Sequence, residues 1–176
     1  MDETFKFTID TNGQVTGISM VGAQYDHVLS VPDGTTFTNY GNKVTEIVIG
    51  DRSTVTVIYT QDAADTSIYH VSSESTVFIA PSTDEHYYRF TVAGDAVTSA
   101  SEIFIFGTHT HTRDLTSTPA SSFTASAAGV TETRLAGDLI ETLNFVRVGT
   151  SGEYALASDT KTVIELVGIM TQELWT

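Results

Sequence analysis

The chain reads as all-β, an antiparallel β-sandwich or jelly roll with at most one short helix. Three observations carry that reading. Threonine supplies 30 of the 176 residues, and branching at Cβ restricts χ1 and suits a pleated surface. Apolar and polar residues alternate over stretch after stretch, the period of a half-buried strand. Turn-forming residues punctuate these stretches at short intervals, as in folds built from many short strands.

The first element is a hairpin over residues 4–20. Thr4-Phe5-Lys6-Phe7-Thr8-Ile9 alternates strictly, Asp10-Thr11-Asn12-Gly13 turns the chain, and Gln14 to Met20 returns. Thr54 to Thr60 alternates again, with Val55, Val57 and Tyr59 on one side. Further strands are expected at Gln24–Ser30, Glu46–Ile49, Ile68–Val71, Thr76–Ala80, Tyr87–Val92 and Glu102–Phe106, then at Leu143–Val148, Glu153–Leu156 and Thr162–Met170. Pro32-Asp33-Gly34, Gly41-Asn42, Pro81 to Asp84, Ala93-Gly94-Asp95 and Gly149 to Gly152 separate them. Ile103 to Phe106 is apolar on both sides, which fits a covered central strand or a subunit contact.

Two stretches break the pattern. Between Asp114 and Arg134, 15 of 21 residues are Ser, Thr, Ala, Gly or Pro, too small and polar for a core of their own. This segment is expected to be a long loop or an arm that orders against a neighbour. Leu135, Leu139, Ile140 and Leu143 then recur at helical spacing and mark the one helix candidate, which Gly137 weakens. The whole chain, 1–176, fits one domain. Trp175, next to the C-terminus, is expected to dock on this subunit or a neighbour.

Composition excludes several functions. With no Cys, disulfides, zinc–thiolate sites and cysteine nucleophiles are absent together. A net charge of −14 with scattered arginines opposes binding to nucleic acid. No apolar run reaches the roughly 18 residues of a membrane span, and the acidic start Met1-Asp2-Glu3 does not read as a signal peptide. The fingerprints of nucleotide-binding loops, serine hydrolases and zinc proteases are missing. Asp10-Thr11-Asn12-Gly13 is a poor calcium loop, because Val21 stands where a bidentate Glu belongs. Paired carboxylates of glycosidase type cannot be located from sequence, and the expectation is that the chain is no enzyme.

The sharpest constellation is Gly107-Thr108-His109-Thr110-His111-Thr112. On a strand, His109 and His111 project to one side with Cα atoms about 6.5–7 Å apart. Two such imidazoles suit a transition metal, with His70, His86 and Asp114 as further ligand candidates within the chain. The His-x-His spacing resembles that of cupin metal enzymes, but no His follows His111 and Asp114 replaces the expected Glu. It also resembles the His-x-His motifs of trimeric phage tail spikes and fibres, where three chains share one iron. That resemblance implies a shared metal at His109 and His111 and no other cofactor.

The strand density, threonine content and low-complexity arm are similar in composition to virion β-proteins of tailed phages and archaeal viruses. This class resemblance implies a self-associating coat or shell-decorating protein located in the virion. Its partners would be copies of itself, a trimer being favoured, and other virion proteins. The alternatives are the metal-binding tail spike or fibre component and an extracellular carbohydrate-binding or hydrolytic β-sandwich.

Overall fold

The computed structural model describes residues 3–79, 81, 86–116 and 120–164. Fourteen strands and no helix occur among them, so the chain is all-β. The strands are β1 (Thr4–Ile9), β2 (Val15–Met20), β3 (His27–Val28), β4 (Thr35–Tyr40), β5 (Lys43–Ile49), β6 (Ser53–Gln61) and β7 (Tyr69–Phe78). They continue as β8 (His86–Ala93), β9 (Ala96–Phe106), β10 (His109–Asp114), β11 (Ser121–Ser126), β12 (Gly129–Ala136), β13 (Leu139–Val148) and β14 (Glu153–Val163).

The β1–β2 hairpin forms as its alternation requires, with Asp10 Oδ1 accepting from the backbone N–H of Asn12 at 2.9 Å and Gln14 at 2.8 Å. Elsewhere the tertiary context redraws the elements. The expected strands Ile68–Val71 and Thr76–Ala80 meet in one strand, β7 (Tyr69–Phe78), whose polar centre is paired by β6 on one side and β14 on the other, while Ala80 lies outside the described residues. The Gln24–Ser30 strand shrinks to β3. Thr35 to Tyr40, which alternates but was not among the expected strands, forms β4 against β5.

The loop expected over 114–134 is corrected most strongly. Ser121 to Ser126 and Gly129 to Ala136 pair residue by residue as β11 and β12. The segment cannot build its own core, but Phe123, Ala125 and Val130 complete one supplied by other strands. The helix candidate is a hairpin instead. Gly137, at φ +65°, turns β12 into β13. Leu135 pairs with Ile140, and Leu143 enters the core, so the helical spacing is divided between two strands. Most of Thr162–Met170, together with Trp175, lies outside the described residues.

The sandwich expectation gives way to a barrel core with added strands. All pairings are antiparallel, and β8, β9, β11, β12, β13 and β14 close a ring. The closures are narrow: Thr124 with Ala96 joins β11 to β9, and Tyr154 with Tyr88 joins β14 to β8. Inside pack Tyr88, Ala100, Leu115, Val130, Leu143 and Phe145. Phe145 meets Tyr88 at 4.4 Å and Phe90 at 5.1 Å between ring centroids. A second core (Phe5, Ile18, Val44, Tyr59, Tyr69, Val71) lies among β1, β2 and β5–β7. Strand β7 connects the two, pairing with β1 over its first residues and with β14 over its later ones.

Register across the long sheet sorts side chains into rows. The central outward row runs Thr36, Ile47, Thr56, Ser75, Thr160, Thr142, Thr133, Ser122 through β4, β5, β6, β7, β14, β13, β12 and β11. One flanking row runs from Ile49 through Thr54, Val77, Ser158, Asn144 and Thr131 to Thr124. The other runs from Thr38 through Thr45, Ile58, Ser73, Thr162 and Ile140 to Leu135. On the inward side, the row Glu46, Val57, Glu74, Lys161, Glu141, Arg134, Ser121 carries most of its charge between the two cores.

Two substitutions probe the barrel. Phe145→Ala, at a ring only 1% exposed, is expected to cost about 3–5 kcal/mol in urea unfolding. Gly129→Ala should also destabilise, because φ is +147° and a Cβ would fall 2.0 Å from the Phe145 carbonyl oxygen. Wild-type unfolding midpoints in both variants would contradict the register of β11–β13.

Candidate functional site

The barrel strands share an inward polarity. Along β12 the inward residues are Val130, Glu132 and Arg134; along β13, Phe145, Leu143 and Glu141; along β9, Ala100, Glu102 and Phe104. Strands β12 and β13 pass from apolar to charged in the same sense, and on β9 Glu102 follows Ala100 in that sense before Phe104, so the ionisable groups gather towards one mouth of the barrel. Strand β10 extends the sheet beyond that mouth as a hairpin with β9.

On the β8–β10 side, Glu102 is the centre. It is 6% exposed and accepts from Tyr88 Oη at 3.2 Å, and its Oε1 lies 2.9 Å from His86 Nε2. A terminal guanidinium nitrogen of Arg113 closes on Oε2 as an ion pair. Register explains the gathering, since Tyr88, Glu102 and Arg113 form one row across three strands. Burial, followed by the Glu102 charge, pushes the Tyr88 hydroxyl well above its ordinary range and keeps it a donor. The His86 ring stacks on Phe104 at 4.4 Å with a 7° interplanar angle, and Phe104 stacks on Phe106 at 6.2 Å.

On the β11–β14 side, Glu132 is 1% exposed. Arg134 grips it in a bidentate pair, Nε to Oε1 at 2.7 Å and a terminal nitrogen to Oε2 at 2.9 Å. Ser121 Oγ donates to the same Oε1 at 2.9 Å, and Arg134 reaches Glu141 at 3.1 Å. The hydrogen bond to Glu132 is the leading cause that holds the Arg134 guanidinium above its already high value. Lys161 sits 3.6 Å from Asp159 and 3.9 Å from Glu141. Each buried carboxylate thus faces an arginine and accepts from a further side-chain hydroxyl.

The structure separates the metal-ligand candidates. His109 and His111 project to one side of β10, and every residue of that strand is exposed. His86 shares a row with His111, but Phe104 stands between them on β9 and His86 is engaged by Glu102. Asp114 has the opposite parity and accepts from the Thr116 backbone N–H at 2.8 Å. His70 lies on β7, 3.2 Å from Asp62. Among the described residues no group of three His, Cys, Asp or Glu side chains could hold a metal. Asp84 and Glu85 lie outside the described residues.

The charged mouth was missed because its members are far apart in the chain. A signal existed in Val130-Thr131-Glu132-Thr133-Arg134, where Glu and Arg occupy the parity of a core valine. Comparison of the chain with family models, with curated proteins and with solved structures finds no match.

Glu132→Ala leaves the Arg134 guanidinium without its buried partner and is expected to cost on the order of 3 kcal/mol in urea unfolding. A double variant with Arg134→Met should recover part of that loss, and an additive result would contradict the pair. Hydrogen bonds at turns give a pH signature. The Asp62 carboxyl is lowered first by the Asp65 backbone N–H, and that of Asp114 first by the Thr116 hydroxyl. Groups lowered by folding stabilise above the unfolded carboxyl range, near pH 4, and lose that contribution as pH falls through the folded value. Wild type should therefore lose more stability between about pH 5 and pH 2 than D62N/D114N. Parallel pH profiles would sink this assignment.

Proposed function

We propose that this chain is a non-catalytic structural β-protein that assembles with copies of itself through the open edge of β10, as a coat or shell-decorating component of a virion. The observation that carries the reading is the edge itself. Strand β10 pairs with β9 in unbroken register over all six residues and has no partner on its other side among the described residues. Free edges offer a row of unpaired N–H and C=O groups, and chains that must stay apart blunt them with Lys, Pro or a bulge. His109-Thr110-His111-Thr112-Arg113-Asp114 carries none of these, and its one arginine is drawn towards Glu102. Strand addition at such an edge supplies main-chain hydrogen bonds without a preformed pocket. The pairing of the two buried carboxylates with Arg113 and Arg134 supports the non-catalytic part of the reading. The virion setting is supported by composition: a strand-dense, threonine-rich, cysteine-free chain.

One observation favours an extension. The two imidazoles share one exposed side of β10, so three copies gathered about an axis on that side would bring their His-x-His pairs together, as a metal shared by three chains requires.

Sedimentation velocity at micromolar concentration is expected to show oligomers larger than a dimer, which T110K/T112K removes, since edge lysines repel an added strand. A wild-type monomer at that concentration, or an edge variant that assembles normally, would overturn the edge reading. Elemental analysis of metal-loaded protein should find one transition-metal ion per three chains, lost in H109A/H111A. A content well below that ratio removes the shared-metal extension and leaves the edge contact standing.

A further inference from the structure

The outward side of the long sheet carries no ionisable group in its three central rows, from β4 across β5, β6, β7, β14, β13 and β12 to β11. In a chain of net charge −14, that neutrality stands out. Of the acids within these strands, Glu46, Glu74, Glu132, Glu141 and Asp159 have the inward parity, and Glu153, at the start of β14, has the outward parity but lies beyond the three rows. Many of the rest sit in turns. We propose that this neutral face is a second contact surface, and that its occupant is the same face of a second copy.

Charge selects the occupant. Two copies of an acidic chain repel one another over most of their surface, and burying like charges in a self-contact costs several kcal/mol. This face is the place where they meet without doing so. Some of its polar groups are also satisfied from within the sheet. Ser75 Oγ and Thr160 Oγ1 are 2.9 Å apart, Thr131 donates to Asn144 at 2.8 Å, and Asn144 donates to Ser158 at 3.0 Å. Hydroxyls paired laterally can be covered at little cost in desolvation, which leaves the threonine methyls to make the contact. At one end Ile49 and Val77 remain 60% and 51% exposed, a natural apolar centre.

The size is sufficient. Eight strands spaced about 4.8 Å apart and three rows in steps of about 6.8 Å present on the order of 600 Å². Stable interfaces bury roughly 600–1,000 Å² per partner. The contact differs from the β10 edge, so the two together would link copies in two directions.

The inference rests on self-association, and one experiment separates it from the edge reading. In the T110K/T112K background, sedimentation and light scattering should still show dimers. Val77→Arg or Thr142→Arg in the same background should weaken them at least tenfold. Raising salt should strengthen the dimer by screening the −14 charge. Circular dichroism and thermal melting check the fold of each variant. Val77→Ser, which removes only an exposed isopropyl group, supplies a weaker, fold-safe version of the same loss. Edge-variant protein that is monomeric throughout, or arginine variants that dimerise as before, would overturn the face contact. If instead the edge variants assemble like wild type and only face variants dissociate, the edge reading fails and this one stands.

Discussion

Strand β7 is the constraint on which the rest of the structure depends. Its first residues pair with β1 and its later ones with β14, while β6 accompanies it throughout. One strand therefore serves both cores, and its side-chain parity must be right for each. The bulge opposite Ile58 and Tyr59 lets this work. One extra residue on β7, Ser72, resets the alternation so that Val71 faces the first core and Glu74 the charged inward row. A second bulge, between Asn144 and Phe145 in the β13–β14 pair, does the same where the sheet enters the barrel.

Parity then explains where the charge is. A sheet with two apolar cores on one side has a gap between them on that side, and there the row Glu74, Lys161, Glu141, Arg134 alternates in sign. Opposite charges directly across antiparallel strands attract, and Arg134 adds a bidentate grip on buried Glu132. Pairs of this kind contribute little net stability over apolar residues of equal volume, but they penalise misregister heavily. A slip of one residue along β12 would aim Glu132 outward and leave Arg134 unmatched. The charged row specifies register where the low-complexity segment, with its interchangeable Ser, Thr and Ala, specifies it weakly.

Much of the fold was legible. Strict alternation in Thr4 to Ile9 and Thr54 to Thr60, with turn residues at Asn12-Gly13 and Gly149 to Gly152, marks strands that pair locally and carry their own hydrophobic face. The failures share one physical cause. Ser121 to Ser126 and the Leu135 to Leu143 region take their structure from partners distant in sequence, and no local pattern reports those partners. Leu115, Phe123 and Val130 were the only large apolar residues between Asp114 and Arg134, too few to predict a core yet enough to complete one. Of the candidate site, the shared side of His109 and His111 follows from spacing alone. The separation of His86 from them by Phe104 could be known only once the order of β8, β9 and β10 was.

The threonine content is best understood through the outer face. A sheet face of Val and Ile would make the free chain insoluble, and one of Lys and Glu could not be covered by a copy of itself. Threonine resolves that conflict at a single residue. Its methyl and branched Cβ favour the strand, and its hydroxyl keeps the exposed surface wet. Where a neighbour such as Ser75 or Asn144 takes that hydroxyl's hydrogen bond, the same side chain can also lie in a dry contact. The face is thus tolerable to water and acceptable to a partner. The self-contact we propose needs that combination, and it leaves the negative charge where stacking does not reach.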